Sequence, residues 1–287
     1  MNVLVTGADG FVGRWLCRLL VELGDSVRGW VRRMPKDPIH GVHYDVVDIV
    51  DVAACRVAIS SFEADGAIHL AAISNPREAS LIPTLTSQVN DLGAYNVASC
   101  MPNRTVFLYV SSCHVYGAPE KNPMTEQHPT RPAGVYAKSK LAGEVSVRQA
   151  KKDALIARTF HLCGPGQSPC FALADWANQI TSGASPIVTG DTSLRRDYLD
   201  VRDAANAYRT LIEAGQLGAT YNICSGESVS YETLLRWLGC KASIVEKNRI
   251  RLNDIPEMIG CNQKLLNTGW AQRHCLSDTM KELIGTL

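Results

Sequence analysis

Three glycines spaced G-x-x-G-x-x-G, in Thr6-Gly7-Ala8-Asp9-Gly10-Phe11-Val12-Gly13, directly follow the apolar run Val3-Leu4-Val5. Glycine turns after strands are common, and this one gains its weight from its place at the start of a chain that then alternates strand and helix. One glycine permits the tight turn, and a second lets the backbone approach a pyrophosphate. The third lets helix and strand pack closely, while the helix N-terminus offers amide donors to the anion. A helical pattern runs from Val12 to Leu23, and a second strand-like run, Ser26-Val27-Arg28-Gly29-Trp30-Val31, comes next. The segment predicts a dinucleotide site in which Gly7, Gly10, Phe11, Val12 and Gly13 face the cofactor.

The same rhythm continues through Ala67-Ile68-His69-Leu70, Val106-Phe107-Leu108-Tyr109-Val110 and Ala154-Leu155-Ile156-Ala157. Near-continuous apolar runs separated by helices describe a parallel sheet buried on both faces. The expected fold class is therefore α/β, a Rossmann-type doubly wound parallel sheet. Beyond about Phe160, glycine, proline and short strands at 186–188, 220–224 and 243–246 mix with helices. Residues 1–160 are expected to form the dinucleotide-binding domain, with 195–215 returning to it. Residues 161–287 are expected to form mostly a smaller mixed α/β lobe for the substrate.

Composition removes several other function classes. The 29 Lys and Arg against 28 Asp and Glu leave a net charge of +1, which provides no field for nucleic acid or an anionic membrane. The ten cysteines include no C-x-x-C pair, and no H-x-x-x-H or paired Cys/His ligand motif is evident, so neither a metal site nor a disulfide scaffold is expected. No signal-peptide pattern and no membrane-length apolar stretch is visible, and a cytoplasmic location with reduced thiols is expected.

Where the second strand ends, Trp30-Val31-Arg32-Arg33 carries arginines in place of the acidic residue that would accept the ribose hydroxyls of NAD. Guanidinium groups suit a 2′-phosphate, so Arg32 and Arg33 favour NADP(H) over NAD(H). Farther on, Tyr136 and Lys140 are four residues apart and share one helix face. A tyrosine with a pKa near ~10 is a poor acid or base at neutral pH, and a neighbouring ammonium is expected to lower it. The strand Val106-Val110 ends in Ser111-Ser112, at the edge of the sheet where ligands bind in such folds.

Taken in order, the glycine turn, His69-Leu70-Ala71-Ala72, the S-S-x-x-V-Y-G segment (Ser111 to Gly117) and Y-x-x-x-K resemble the extended short-chain dehydrogenase/reductase family, whose members act mainly on nucleotide-diphosphate sugars. The resemblance implies that Ser112 polarises the substrate oxygen, Tyr136 is the acid/base, and Lys140 activates it and holds the ribose. It also implies that Asp48 and Ile49 flank the adenine and that Leu70, Ala71 and Ala72 line the cofactor. Later segments, including Arg158-Thr159-Phe160-His161, Gly164-Pro165-Gly166-Gln167, Arg195-Arg196-Asp197-Tyr198 and Arg251-Leu252-Asn253-Asp254, are similar to the branch containing GDP-4-keto-6-deoxy-D-mannose reductases and their dehydratase relatives. By that likeness His161, Asn178, Arg196, Arg251 and Asp254 bind substrate, the substrate is a GDP-sugar, and the enzyme is a homodimer.

The sugar end departs from this pattern. Cys113 and His114 follow Ser112 where acidic or hydroxyl residues are usual, and His161 replaces an asparagine. Without a glutamate in this segment, 4,6-dehydration is disfavoured. Three readings follow: an NADP(H)-dependent reductase of a 4-keto-6-deoxy GDP-sugar; a redox-neutral GDP-sugar epimerase, isomerase or mutase that moves protons with Cys113, His114 or His161; or a non-catalytic dinucleotide sensor.

Overall fold

β1 (Asn2–Thr6) buries Val3, Leu4 and Val5 completely. Its alternate side chains enter two separate cores, Val3 and Val5 one and Leu4 the other, as a strand covered on both faces requires. The computed structural model describes residues 1–246 and 255–285. From β1 the chain passes the glycine turn into α1 (Phe11–Glu22), then β2 (Ser26–Val31) and β3 (Val42–Val46). α2 (Val52–Ser60) starts at Asp51, whose carboxylate accepts the amides of Ala53 and Ala54. β4 (Gly66–His69) leads to α3 (Pro76–Leu81) and α4 (Pro83–Ser87), then through a π turn at Gln88–Gly93 into α5 (Ala94–Cys100). β5 (Val106–Ser112) runs into a 3-10 turn at Cys113–Tyr116, and α6 (Gly134–Ala150) leads to β6 (Leu155–Thr159).

The second half supplies β7 (His161–Cys163), α7 (Ala172–Thr181), β8 (Ile187–Thr189), β9 (Arg195–Asp200) and α8 (Val201–Ala214). β10 (Thr220–Ile223), β11 (Ser228–Ser230), α9 (Tyr231–Trp237) and β12 (Ile244–Glu246) follow. β13 (Glu257–Met258), α10 (Gln263–Leu266) and α11 (Leu276–Gly285) complete the described chain.

The large sheet is all parallel, in the order β10-β6-β5-β4-β1-β2-β3. Strand order reverses between β1 and β4, which opens a crevice beyond their C-terminal ends. This is the doubly wound Rossmann-type sheet that the alternation predicts. The smaller lobe holds β9 between β11 and β13, with β7 also paired to β9, and a separate β8–β12 pair. Its own core is built on Leu173, Trp176, Leu234, Leu235 and Met280.

Three features differ from the sequence expectation. β3 is absent from the expected strands; it reads V-H-Y-D-V, and as the edge strand it is only partly buried. Residues 220–224, expected in the second lobe, instead supply β10, which pairs with β6 and extends the large sheet. Within 195–215, α8 packs Ala204, Tyr208 and Leu211 into the main core, whereas β9 belongs to the small sheet. Among the described residues, no helix is long and apolar enough to cross a membrane.

Candidate active site

A cleft of about 750 Å³ opens at the C-terminal ends of the central strands and extends to the small lobe. One end is lined by Gly7, Gly10, Phe11, Val12, Gly13, Arg32, Asp48, Ile49, Leu70, Ala71 and Ala72, and the other by Ser112, Cys113, His114, Tyr136, Lys140 and His161. The fold thus gathers into one space residues that are scattered over 150 positions of the chain.

The glycine end is a cradle that side chains would fill. Gly7 has φ +68°, and a Cβ there would lie 3.0 Å from the Ala71 backbone. A Cβ on Gly13 would lie 2.1 Å from the Gly7 carbonyl oxygen, so α1 can begin against the turn only with glycine there. α1 starts at Gly10 with no side-chain cap, leaving the positive end of its dipole to the cleft. These features fit a dinucleotide pyrophosphate. Arg32 lines the cleft beyond β2; Arg33 is exposed and does not.

Ser112 ends β5, and its Oγ accepts the His114 amide at 3.2 Å, which starts the 3-10 turn. It is also the hydrogen-bonding neighbour of the Tyr136 phenol and the Cys113 thiol. Tyr136 and Lys140 share one face of α6, as their spacing predicts. Their ionisation differs from the expectation, however. Burial pushes Tyr136 up to about 12, against the Ser112 hydrogen bond, and pushes Lys140 down to about 7, against the nearby Glu144 carboxylate. Lys140 Nζ lies 4.2 Å from the centroid of the Tyr109 ring, and for the amine desolvation outweighs attraction. The phenol therefore holds its proton at neutral pH, as a proton donor must.

Sequence reasoning missed the support beneath Tyr136. The Asn90 side chain, in the π turn, donates to Ser139 Oγ at 2.9 Å, and Ser139 Oγ donates to the Tyr136 carbonyl at 2.8 Å. Asn90 also pairs with both backbone groups of Ile73, at 2.8 and 3.0 Å, and so ties α6 to the cleft wall. Below Lys140, buried Glu144 accepts from Ser111 at 2.6 Å and from Arg158 at 2.8 and 3.0 Å, locking α6 to β5 and β6. Lone polar residues in helices carry no local pattern that reveals such pairings.

At the sugar end the rings of Tyr136, His114, His161 and Tyr198 follow one another, with centroids 6.0, 5.7 and 5.3 Å apart. Cys113 packs into a satellite core with Tyr116, Met124, Phe160, Cys224 and Met258. Burial, reinforced by the Asp197 carboxylate, pushes its thiol up to about 12, which disfavours the thiolate a base would need. Burial likewise holds His161 neutral, with its pKa well below the usual histidine value. The spacing of Cys and His along the chain predicted no ligand cluster, yet the fold brings donor atoms of Cys113, His114 and His161 within 4.8 Å of one another.

The remaining substrate candidates separate. Arg196 is buried and does not line the cleft; its Nη1 donates to the carbonyls of Arg195 and Ile255, both at 2.8 Å, and its guanidinium flanks the Tyr231 ring. Asn178 is exposed on α7, away from the cleft lining. Arg251 and Asp254 lie outside the described residues. Gln167, Phe171, Tyr208 and Tyr231, none assigned from sequence as site residues, do line the cleft.

Residues 3–224 match the model of the NAD dependent epimerase/dehydratase family. The chain is 32% identical to GDP-6-deoxy-D-mannose reductase of Pseudomonas aeruginosa, over 99% of this chain and 96% of that protein. It is 25% identical to GDP-6-deoxy-D-talose 4-dehydrogenase of Aggregatibacter actinomycetemcomitans, over 93% and 90%. The structure of RMD from Pseudomonas aeruginosa complexed with NADPH superposes with a TM-score of 0.85 at 27% identity, covering all of this chain and 98% of the other.

Proposed function

The chain belongs to the NAD-dependent epimerase/dehydratase family, the extended short-chain dehydrogenases/reductases, and from that premise we propose that it is an NADP(H)-dependent reductase of a 4-keto-6-deoxy GDP-sugar. The observation that carries this reading is the half-buried Tyr136 phenol beside Ser112, in the same cleft as the glycine cradle. A nicotinamide dinucleotide, when bound, supplies hydride to the keto carbon. Ser112 Oγ orients the substrate oxygen by a hydrogen bond, and Tyr136 donates the phenolic proton to that oxygen as it gains charge. Lys140 holds the ribose and, when protonated, offers a charge to the phenolate left behind.

Two finer assignments belong to the same reading. Arg32, exposed where β2 ends, binds the 2′-phosphate that distinguishes NADP from NAD. The GDP preference rests on the names of the two relatives. A homodimer fits Leu85, Leu92, Tyr95 and Val145, large apolar side chains exposed on the helical layer that includes α6. Burial of the Cys113 thiol, which disfavours the thiolate, speaks against the redox-neutral reading. Incubation with NADPH and a GDP-4-keto-6-deoxyhexose tests the proposal: absorbance at the reduced nicotinamide band falls in step with sugar consumed. Conversion of GDP-sugars without net oxidation of NADPH would refute it.

A further inference from the structure

We propose that Cys113, His114 and His161 form a binding site for a thiophilic divalent cation, zinc by its donor set, at the sugar end of the cleft. Their ligand atoms lie within 4.8 Å of one another, and all three residues line the cleft. The Nδ1 of His161 is buried with no hydrogen-bond partner among the described residues. A neutral imidazole nitrogen that is buried without a hydrogen-bond partner has a lone pair to offer a cation. The side of Cys113 away from the cleft is closed by the apolar cluster of Tyr116, Met124, Phe160, Cys224 and Met258, a dry backing for one sulfur ligand.

The donor set decides the cation. One sulfur and two imidazoles suit zinc and related transition metals, whereas magnesium and calcium require oxygen ligands. Zinc bonds are about 2.3 Å to sulfur and about 2.0 Å to nitrogen, so the donors must close by on the order of 1 Å, within the reach of side-chain rotation. As the Sγ–metal bond forms, the thiol proton leaves to solvent, so binding releases one proton per cation. Three protein ligands leave a fourth position, open to water or to an oxygen of a molecule in the cleft. The buried Asp197 carboxylate and the Arg196 guanidinium both stand near the cluster, and their charges oppose each other.

This inference does not depend on the reductase reading, because its test needs neither sugar nor dinucleotide. Cobalt(II) is titrated into the full-length protein and followed in the near ultraviolet. One equivalent is expected to produce a thiolate-to-metal charge-transfer band, displaced by zinc and accompanied by proton release. Cys113→Ser should abolish the band, and His161→Gln should weaken binding about tenfold or more, with circular dichroism confirming that each variant is folded. Cys275→Ser, which alters an exposed cysteine outside the cleft, should leave the titration unchanged. If Cys113→Ser does not fold, the weakening in His161→Gln carries the test. No band in the wild type, wild-type affinity in His161→Gln, a band surviving in Cys113→Ser, or one lost in Cys275→Ser would each overturn the site.

Discussion

Lys140 Nζ lies over the face of the Tyr109 ring, 4.2 Å from its centroid, in the buried layer between α6 and β5. The ring favours the ammonium, but loss of water disfavours it more, and Lys140 is pushed down to about 7. Without bound ligands, the side-chain nitrogen of Lys140 should therefore titrate near neutrality, charged below about pH 7 and neutral above it. Nitrogen NMR of isotopically labelled lysine, assigned by its loss in Lys140→Met, measures this directly. A midpoint above pH 10 would show that solvent reaches the amine.

Tyr136→Phe removes the donated proton and leaves the ring in place. Turnover should fall roughly 100- to 10,000-fold, the range for loss of a general acid. The cofactor dissociation constant, read by quenching of protein fluorescence, should change by less than about threefold. Retained turnover would remove Tyr136 from the chemistry.

Arg32→Ala tests the choice of cofactor. A charge-assisted hydrogen bond contributes about 1.5–3 kcal/mol, so KM for NADPH should rise about 10- to 100-fold while KM for NADH hardly moves. Parallel loss with both cofactors would mean that Arg32 does not read the 2′-phosphate. The same change at Arg33, which stands outside the cleft lining, should have little effect.

Asp25 links the start of the chain to α8. Its carboxylate accepts from the N-terminal ammonium at 2.7 Å and from Arg209 Nε at 2.8 Å, and these cations hold its pKa below the usual carboxylate value despite burial. A depressed carboxylate stabilises the fold fully above its unfolded pKa, near ~4, and loses that contribution as pH falls through the lower folded value. Asp25→Asn should cost on the order of 2 kcal/mol at pH 7. In thermal melts the gap between wild type and variant should be constant above about pH 5 and narrow below pH 4. A gap that widens on acidification would contradict the assignment.

Much of this fold is legible along the chain because β1, β4, β5 and β6 are buried on both faces, which writes unbroken apolar runs between helices. β3 escapes because an edge strand needs only one dry face, and V-H-Y-D-V resembles a loop as much as a strand. The return of β10 to the large sheet is equally hidden, since its partner β6 lies more than 60 residues earlier and local pattern does not encode pairing. The site divides along the same line. Ser112, Tyr136, Lys140 and the glycine turn fall in ordered motifs and meet in the cleft. Asn90, Gln167 and Tyr231 act through contacts made only after folding. Cys113 shows how burial can oppose an inference from chemistry: adjacent to Ser112 it suggests a base, yet desolvation pushes its thiol up and disfavours the thiolate. Arg196 is similar, a cation legible in sequence whose Nη1 turns out to serve backbone carbonyls.

The central claim is that hydride passes from the nicotinamide to the keto carbon of a GDP-sugar in net reduction. NADPH carrying deuterium at its transferable position, incubated with a GDP-4-keto-6-deoxyhexose, tests this most directly. One deuterium is expected on C4 of each product molecule, with one NADP formed for each sugar reduced. Product with no deuterium, or sugar converted while the NADPH pool stays constant, would contradict it.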